Sequence, residues 1–121
     1  MRFFKRGETA DSKFTFLDMT TGDPVDVTNP RYNIVYFLGP VEVEVVTWTP
    51  LDKLPGRIGE YVCSWLIPGS VPEEETYFVT AKGEYDGSTT NIEDFYRVLP
   101  ESFFSGGGGG TGGLVIKFTK P

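Results

Sequence analysis

Apolar and polar side chains alternate with a period of two through most of this chain. In KFTFLDM, Phe14 and Phe16 share one face and Lys13 and Thr15 the other, which predicts a half-buried strand. TTGDP follows, with Gly22 and Pro24 as turn residues, and VDVT sets Val25 and Val27 against Asp26 and Thr28. RYNIVYFL alternates Tyr32, Ile34, Tyr36 and Leu38 and stops at Gly39-Pro40. VEVEVVTW is the cleanest pattern, with Val41, Val43 and Val45 opposite Glu42 and Glu44. The loop TPLDKLPGRIG leads to EYVCSWLI, where Tyr61, Cys63 and Trp65 face one way and Val62 and Leu66 the other. The acidic PEEE precedes TYFVTAKGEY, which puts Tyr77, Val79 and Ala81 on one face.

About seven short strands, spaced about 8–12 residues apart, predict an all-β fold built as an antiparallel sandwich. One segment departs from the pattern. In TTNIEDFYRVLPE, Ile92, Phe95, Tyr96 and Leu99 fall at i, i+3, i+4 and i+7, which predicts a short helix near residues 91–99. Thr90 or Asn91 would cap it, Glu93 and Asp94 suit its positive end, and Pro100 closes it. The domain so defined spans residues 1–104, followed by a glycine-rich tether over 105–113 and a strand over 114–121. In that last piece Leu114, Ile116 and Phe118 alternate with Val115, Lys117 and Thr119. A lone strand is unstable in water and must join a sheet. The glycines would serve either as a return loop to the same domain or as an arm to the sheet edge of a neighbouring subunit. Eight residues, Gly106 to Gly113, extend at most about 26–29 Å, enough for either.

At 121 residues, 39% of them hydrophobic and 15% aromatic, the chain suffices for one packed domain. Its net charge of −6 argues against nucleic acid as a partner, since phosphate binding needs a basic face. No run approaches the roughly 20 apolar residues of a membrane helix, and MRFFKRGETADSK lacks the apolar core of a signal peptide. A single cysteine excludes an internal disulfide and fits folding in a reducing cytoplasm.

The candidate chemistry is sparse. Histidine is absent, which removes the commonest general base and triad partner. Cys63 has no basic neighbour in sequence to activate it and reads as a buried structural thiol. Asp18, Asp23 and Asp26 lack the spacing of a calcium loop, Glu73 to Glu75 read as a charged turn, and the glycine run lacks the lysine of a phosphate loop. No metal, cofactor or catalysis is expected. Aromatic residues remain. Trp48 would either stack on a sugar or close the end of the core. Phe3, Phe4, Phe103 and Phe104 sit in adjacent pairs at the domain margins, so they mark a contact surface or fold back onto the core. With Leu114, Ile116 and Phe118 they form the candidate partner-binding set.

Four pieces, FFKRGETADSKFTFLD, TGDPVDVT, GEYVCSWLIP and ETYFVTAKGEY, resemble in their order the immunoglobulin-like domains of tailed-phage virion proteins, such as the N-terminal domain of baseplate upper proteins. The resemblance covers about residues 3–83 and leaves out the expected helix and the glycine tail. It implies a structural virion component of capsid, neck, tail or baseplate, made in the host cytoplasm. Such a subunit would bind other virion proteins, and copies of itself, without catalysis. The alternative on the same frame is a carbohydrate- or receptor-binding module that uses Trp48.

Overall fold

A computed structural model of the chain describes residues 1–105. Their eight strands form two sheets. The larger runs in the spatial order β1 (Arg2–Phe4), β8 (Ser88–Val98), β7 (Glu75–Tyr85), β3 (Thr28–Leu38) and β4 (Val41–Pro50). The smaller has β6 (Glu60–Leu66) between β2 (Thr9–Thr15) and β5 (Asp52–Lys53). Every pairing is antiparallel except that of β1, which lies parallel to β8. A five-residue helix, α1 (Glu101–Ser105), follows β8.

The alternation read from the sequence explains how the sheets face each other. Phe14 and Ala10 of β2 and Tyr61, Cys63 and Trp65 of β6 point inward from the small sheet. Tyr32, Ile34 and Tyr36 of β3, Tyr77, Val79 and Ala81 of β7, and Tyr96 and Val98 of β8 meet them from the large one. Trp65 spans the layers, its ring 5.5 Å from that of Tyr77 and 6.4 Å from that of Tyr96. The all-β expectation therefore holds. Leu38 and Val41 pair with each other beside the Gly39-Pro40 turn and stay exposed, outside the core. A bulge in β4, where the partners of β3 jump from Glu44 to Val46, half-buries both Val45 and Val46.

The structure corrects the expectation of a helix at 91–99. That segment is the body of β8, paired along its whole length with β7 from Tyr85↔Ser88 to Glu75↔Val98. The two strands meet in a two-residue turn, Asp86-Gly87, with φ of 51° and 79°. Positive φ at both positions suits the right-handed twist of a hairpin, and Asp-Gly is among the strongest sequence signals for it. Inward-facing β8 positions are Ile92, Asp94, Tyr96 and Val98, and the polar Asp94 hides their period of two. The helix falls after Pro100 instead. Among the described residues the strands number eight: VDVT is not a strand of its own, since Val25 to Val27 follow an isolated Leu17↔Pro24 bridge and lead into β3, while Phe3 and Phe4 lie in β1, Asp52-Lys53 form β5 and the expected helix is β8. The tether from Gly106 on and the strand of Leu114, Ile116 and Phe118 lie outside the described residues.

One corner of the molecule ties the early and middle segments together. Asp26 Oδ1 accepts the Gly59 N–H at 2.8 Å, and Gly59 O accepts the Phe16 N–H at 2.9 Å. The Tyr61 hydroxyl accepts the Val27 N–H at 3.0 Å, while Val27 fills the space where Gly83 lacks a side chain. The Gly59 bond foremost, and then Lys53 Nζ at 3.3 Å, hold the Asp26 carboxyl below the usual range against the opposing effect of burial. FFKRGETADSKFTFLD, TGDPVDVT, GEYVCSWLIP and ETYFVTAKGEY thus converge on one set of contacts whose role is to lock the fold.

Candidate functional site

Cys63 is buried on β6, and burial foremost, followed by the Asp94 and Asp11 carboxylates, pushes its thiol up to about 12. A thiol this hard to ionise is a poor nucleophile. A folded-state value above the ordinary 9.0 means Cys63 favours the native state fully below pH 9.0, and that contribution fades as pH climbs toward 12. Native protein at pH 8 should therefore react with an aromatic disulfide reagent far more slowly than protein in urea. Fast reaction of the native form would show that the thiol is accessible.

An open crevice of about 430 Å³ lies where β1 and β8 meet β2. At its wall Asp94 Oδ2 accepts hydrogen bonds from Ser12 Oγ at 2.7 Å and from Arg2 Nη2 at 2.5 Å. Arg2 also donates to the Asp11 carbonyl, so the trio joins the two sheets at this edge. The serine donates to a carboxylate that is itself held by an arginine, and its Oγ also accepts from Arg2 Nη2 at 3.5 Å, an arrangement that fixes geometry rather than freeing the hydroxyl for attack. Among the described residues no group of His, Cys, Asp and Glu is placed to hold a metal ion.

The outer face of the large sheet has a different character. Phe95 of β8 pairs with Phe78 of β7, Phe78 with Val35 of β3, and Val35 with Glu44 of β4. Inward residues at the flanking positions fill the core, so alternation sends this row outward. The Phe78 ring lies 6.2 Å from that of Phe95 and 5.7 Å from that of Phe37. Phe37 and Phe95 remain 44% and 45% exposed. Val35 is only 6% exposed, covered by its neighbours on this face, since it belongs to no inward cluster.

A second aromatic group lies at the sheet edge. Phe3 of β1 stands beside Arg97 of β8, and its ring lies 5.7 Å from Phe103. Phe103 in turn contacts Phe104 at 5.3 Å. Three of the four marginal phenylalanines named from sequence thus form one cluster, with Phe3 and Phe103 exposed and Phe104 half-buried. Phe4 differs. It turns inward and packs edge-on against Tyr96 at 5.2 Å, partly buried against the core.

Trp48 lies on the same outer face and does not close the core; it is 42% exposed. Lys82 Nζ sits 4.8 Å and the Arg31 guanidinium 5.8 Å from its ring centre. These cation–π contacts engage the indole from within the chain. Among the described residues no tyrosine ring pairs with it to form a flat sugar platform.

Sequence reading missed Phe37, Phe78 and Phe95 as a surface. Their positions alternate with core residues, so each strand reads as apolar on both sides, and only the cross-strand register shows them side by side.

No family model, curated protein or solved structure matches the chain.

Proposed function

We propose that this chain is a non-enzymatic structural subunit of a tailed-phage virion, built on an immunoglobulin-like β-sandwich and working through protein–protein contacts. The observation that carries the reading is the pair of exposed aromatic groups on the large sheet, Phe37, Phe78 and Phe95 on its outer face and Phe3 with Phe103 at its edge beside Arg97. Monomeric soluble proteins rarely leave large clustered aromatic side chains in water, and such clusters mark a contact surface. The reading is also supported by the four segments that resemble phage virion domains, whose shared residues meet at the Asp26–Gly59 corner. Its partners are other virion proteins and further copies of itself, and it resides in the particle after synthesis in the host cytoplasm.

Gradient-purified particles of the encoding phage, probed by immunogold labelling and by peptide mass spectrometry, provide the experiment. The chain should appear in the particles at a fixed ratio to the capsid protein. Recovery of the chain only from the soluble lysate, with none in the particles, would sink the assignment.

A further inference from the structure

The geometry points to the outer face of the five-stranded sheet as a two-fold interface between two copies of this chain, with Arg97 of each copy set against Glu42 of the other. This rests on the reading of the protein as an assembly subunit and names one of its partners. The argument starts from the order of side chains along one level of the sheet. Arg97 pairs with Thr76, and Phe37 pairs with Glu42. Thr76 and Phe37 each lie one side-chain step beyond the Phe78↔Val35 pair, so all four occupy the same level. The sequence across β8, β7, β3 and β4 is then Arg97, Thr76, Phe37, Glu42, with a base at one end and an acid at the other.

Neither charge has an ionic partner among the described residues. Arg97 donates Nη2 to the Glu74 carbonyl at 2.9 Å, and its Nε is buried without a hydrogen-bond partner. Glu42 is exposed on β4. A second copy related by a two-fold axis parallel to the strands, passing between β7 and β3, lays β8 over β4 and β7 over β3. That single operation brings Arg97 over Glu42 twice and Phe78 over Val35 twice. An isologous contact requires this self-complementarity, in which residue i meets j and j meets i. An unrelated partner would have to carry the reversed order of base, aromatics and acid.

Size agrees as well. Four strands of ten or eleven residues present a face of about 19 Å by about 34 Å, some 650 Å², before β1 and Phe103 add their share. One side of a standard interface is about 800 Å². The cationic end of the face, Lys82 and Arg31, lies about 14 Å along the strands from the Phe78 level. Aligned sheets cross at about 30°, so that end falls at a wet rim where charge matters least.

Sedimentation velocity of the full chain tests this with three samples. The unaltered chain should form a dimer at concentrations below about 100 µM, as a face of this size permits. Glu42→Arg alone and Arg97→Glu alone should each weaken the dimer about 100-fold, because each places like charges together twice. An equimolar mixture of the two variants should regain the dimer, since each heterodimer then holds two opposite-charge pairs. Folding defects in either variant cannot produce that recovery. A monomeric unaltered chain, a dimer indifferent to both single substitutions, or a mixture that stays monomeric would each overturn the interface. Particles that contain the chain would still stand for the assembly role in those cases, so the two readings fail separately.

Discussion

Gly59→Ala should cost the fold about 4 kcal/mol, read as a shift of the urea midpoint at unchanged slope. Gly59 has φ of +76°, which L side chains rarely adopt, and a methyl there would stand 2.8 Å from Val25 N and 2.9 Å from both Phe16 O and Val25 O. All three are backbone atoms, and two of them form the Val25 N–H to Phe16 carbonyl bond at 2.9 Å. No rotamer change relieves such a clash. The whole corner would have to move, and with it the Asp26 and Tyr61 bonds. Gly22→Ala is the control. Its φ of +79° is equally unfavourable, but open space surrounds it, so the cost should be only the backbone strain of about 1–2 kcal/mol. Equal losses for the two substitutions would remove the corner from the account of stability.

Tyr77→Ala should be comparably damaging, at about 3–5 kcal/mol in the same denaturation measurement. The ring has no solvent exposure and sits 5.4 Å from Tyr36 and 5.5 Å from Trp65, where the two sheets meet. Removing it leaves a cavity among large rigid rings that cannot collapse to fill it. The hydroxyl adds a smaller part. It donates to the Pro72 carbonyl at 2.5 Å, and burial foremost raises its pKa, so it stays protonated and able to donate. Tyr77→Phe should accordingly cost about 1 kcal/mol. A phenylalanine variant as unstable as the alanine variant would mean that the hydrogen bond, not the packed ring, dominates.

These two sites also show what the sequence makes legible. Tyr77 announces itself, because TYFVTAKGEY alternates cleanly and one face of a strand must be buried. Gly59 does not, since nothing local distinguishes it from the other loop glycines; its constraint comes from Phe16 and Val25, far away in the chain. The same division separates the strands. β3, β6 and β7 are readable because their inward positions are uniformly apolar. β8 misleads because Asp94 interrupts its inward face, held there by Arg2 and Ser12 from other strands, while Phe95 points outward. Those choices give a spurious helical spacing. The aromatic stripe was hidden for a related reason. Phe37, Phe78 and Phe95 belong to three strands, and only hydrogen-bond register aligns them. The clustering of Phe3 with Phe103 was half visible, as two apolar pairs at opposite margins whose meeting depends on β1 lying beside β8.

That parallel pairing has a consequence for the order of assembly of the chain itself. Arg2, Phe3 and Phe4 dock on Tyr96, Arg97 and Val98, so β1 waits for the later-made β8 before it has a place. Antiparallel neighbours joined by short turns, such as β7 with β8 and β3 with β4, can zip as soon as they emerge. β1 cannot, and until β8 is made its two phenylalanines remain without their sheet. Closure of the large sheet is therefore a late event, and the β1 segment is where a chaperone would have most to hold.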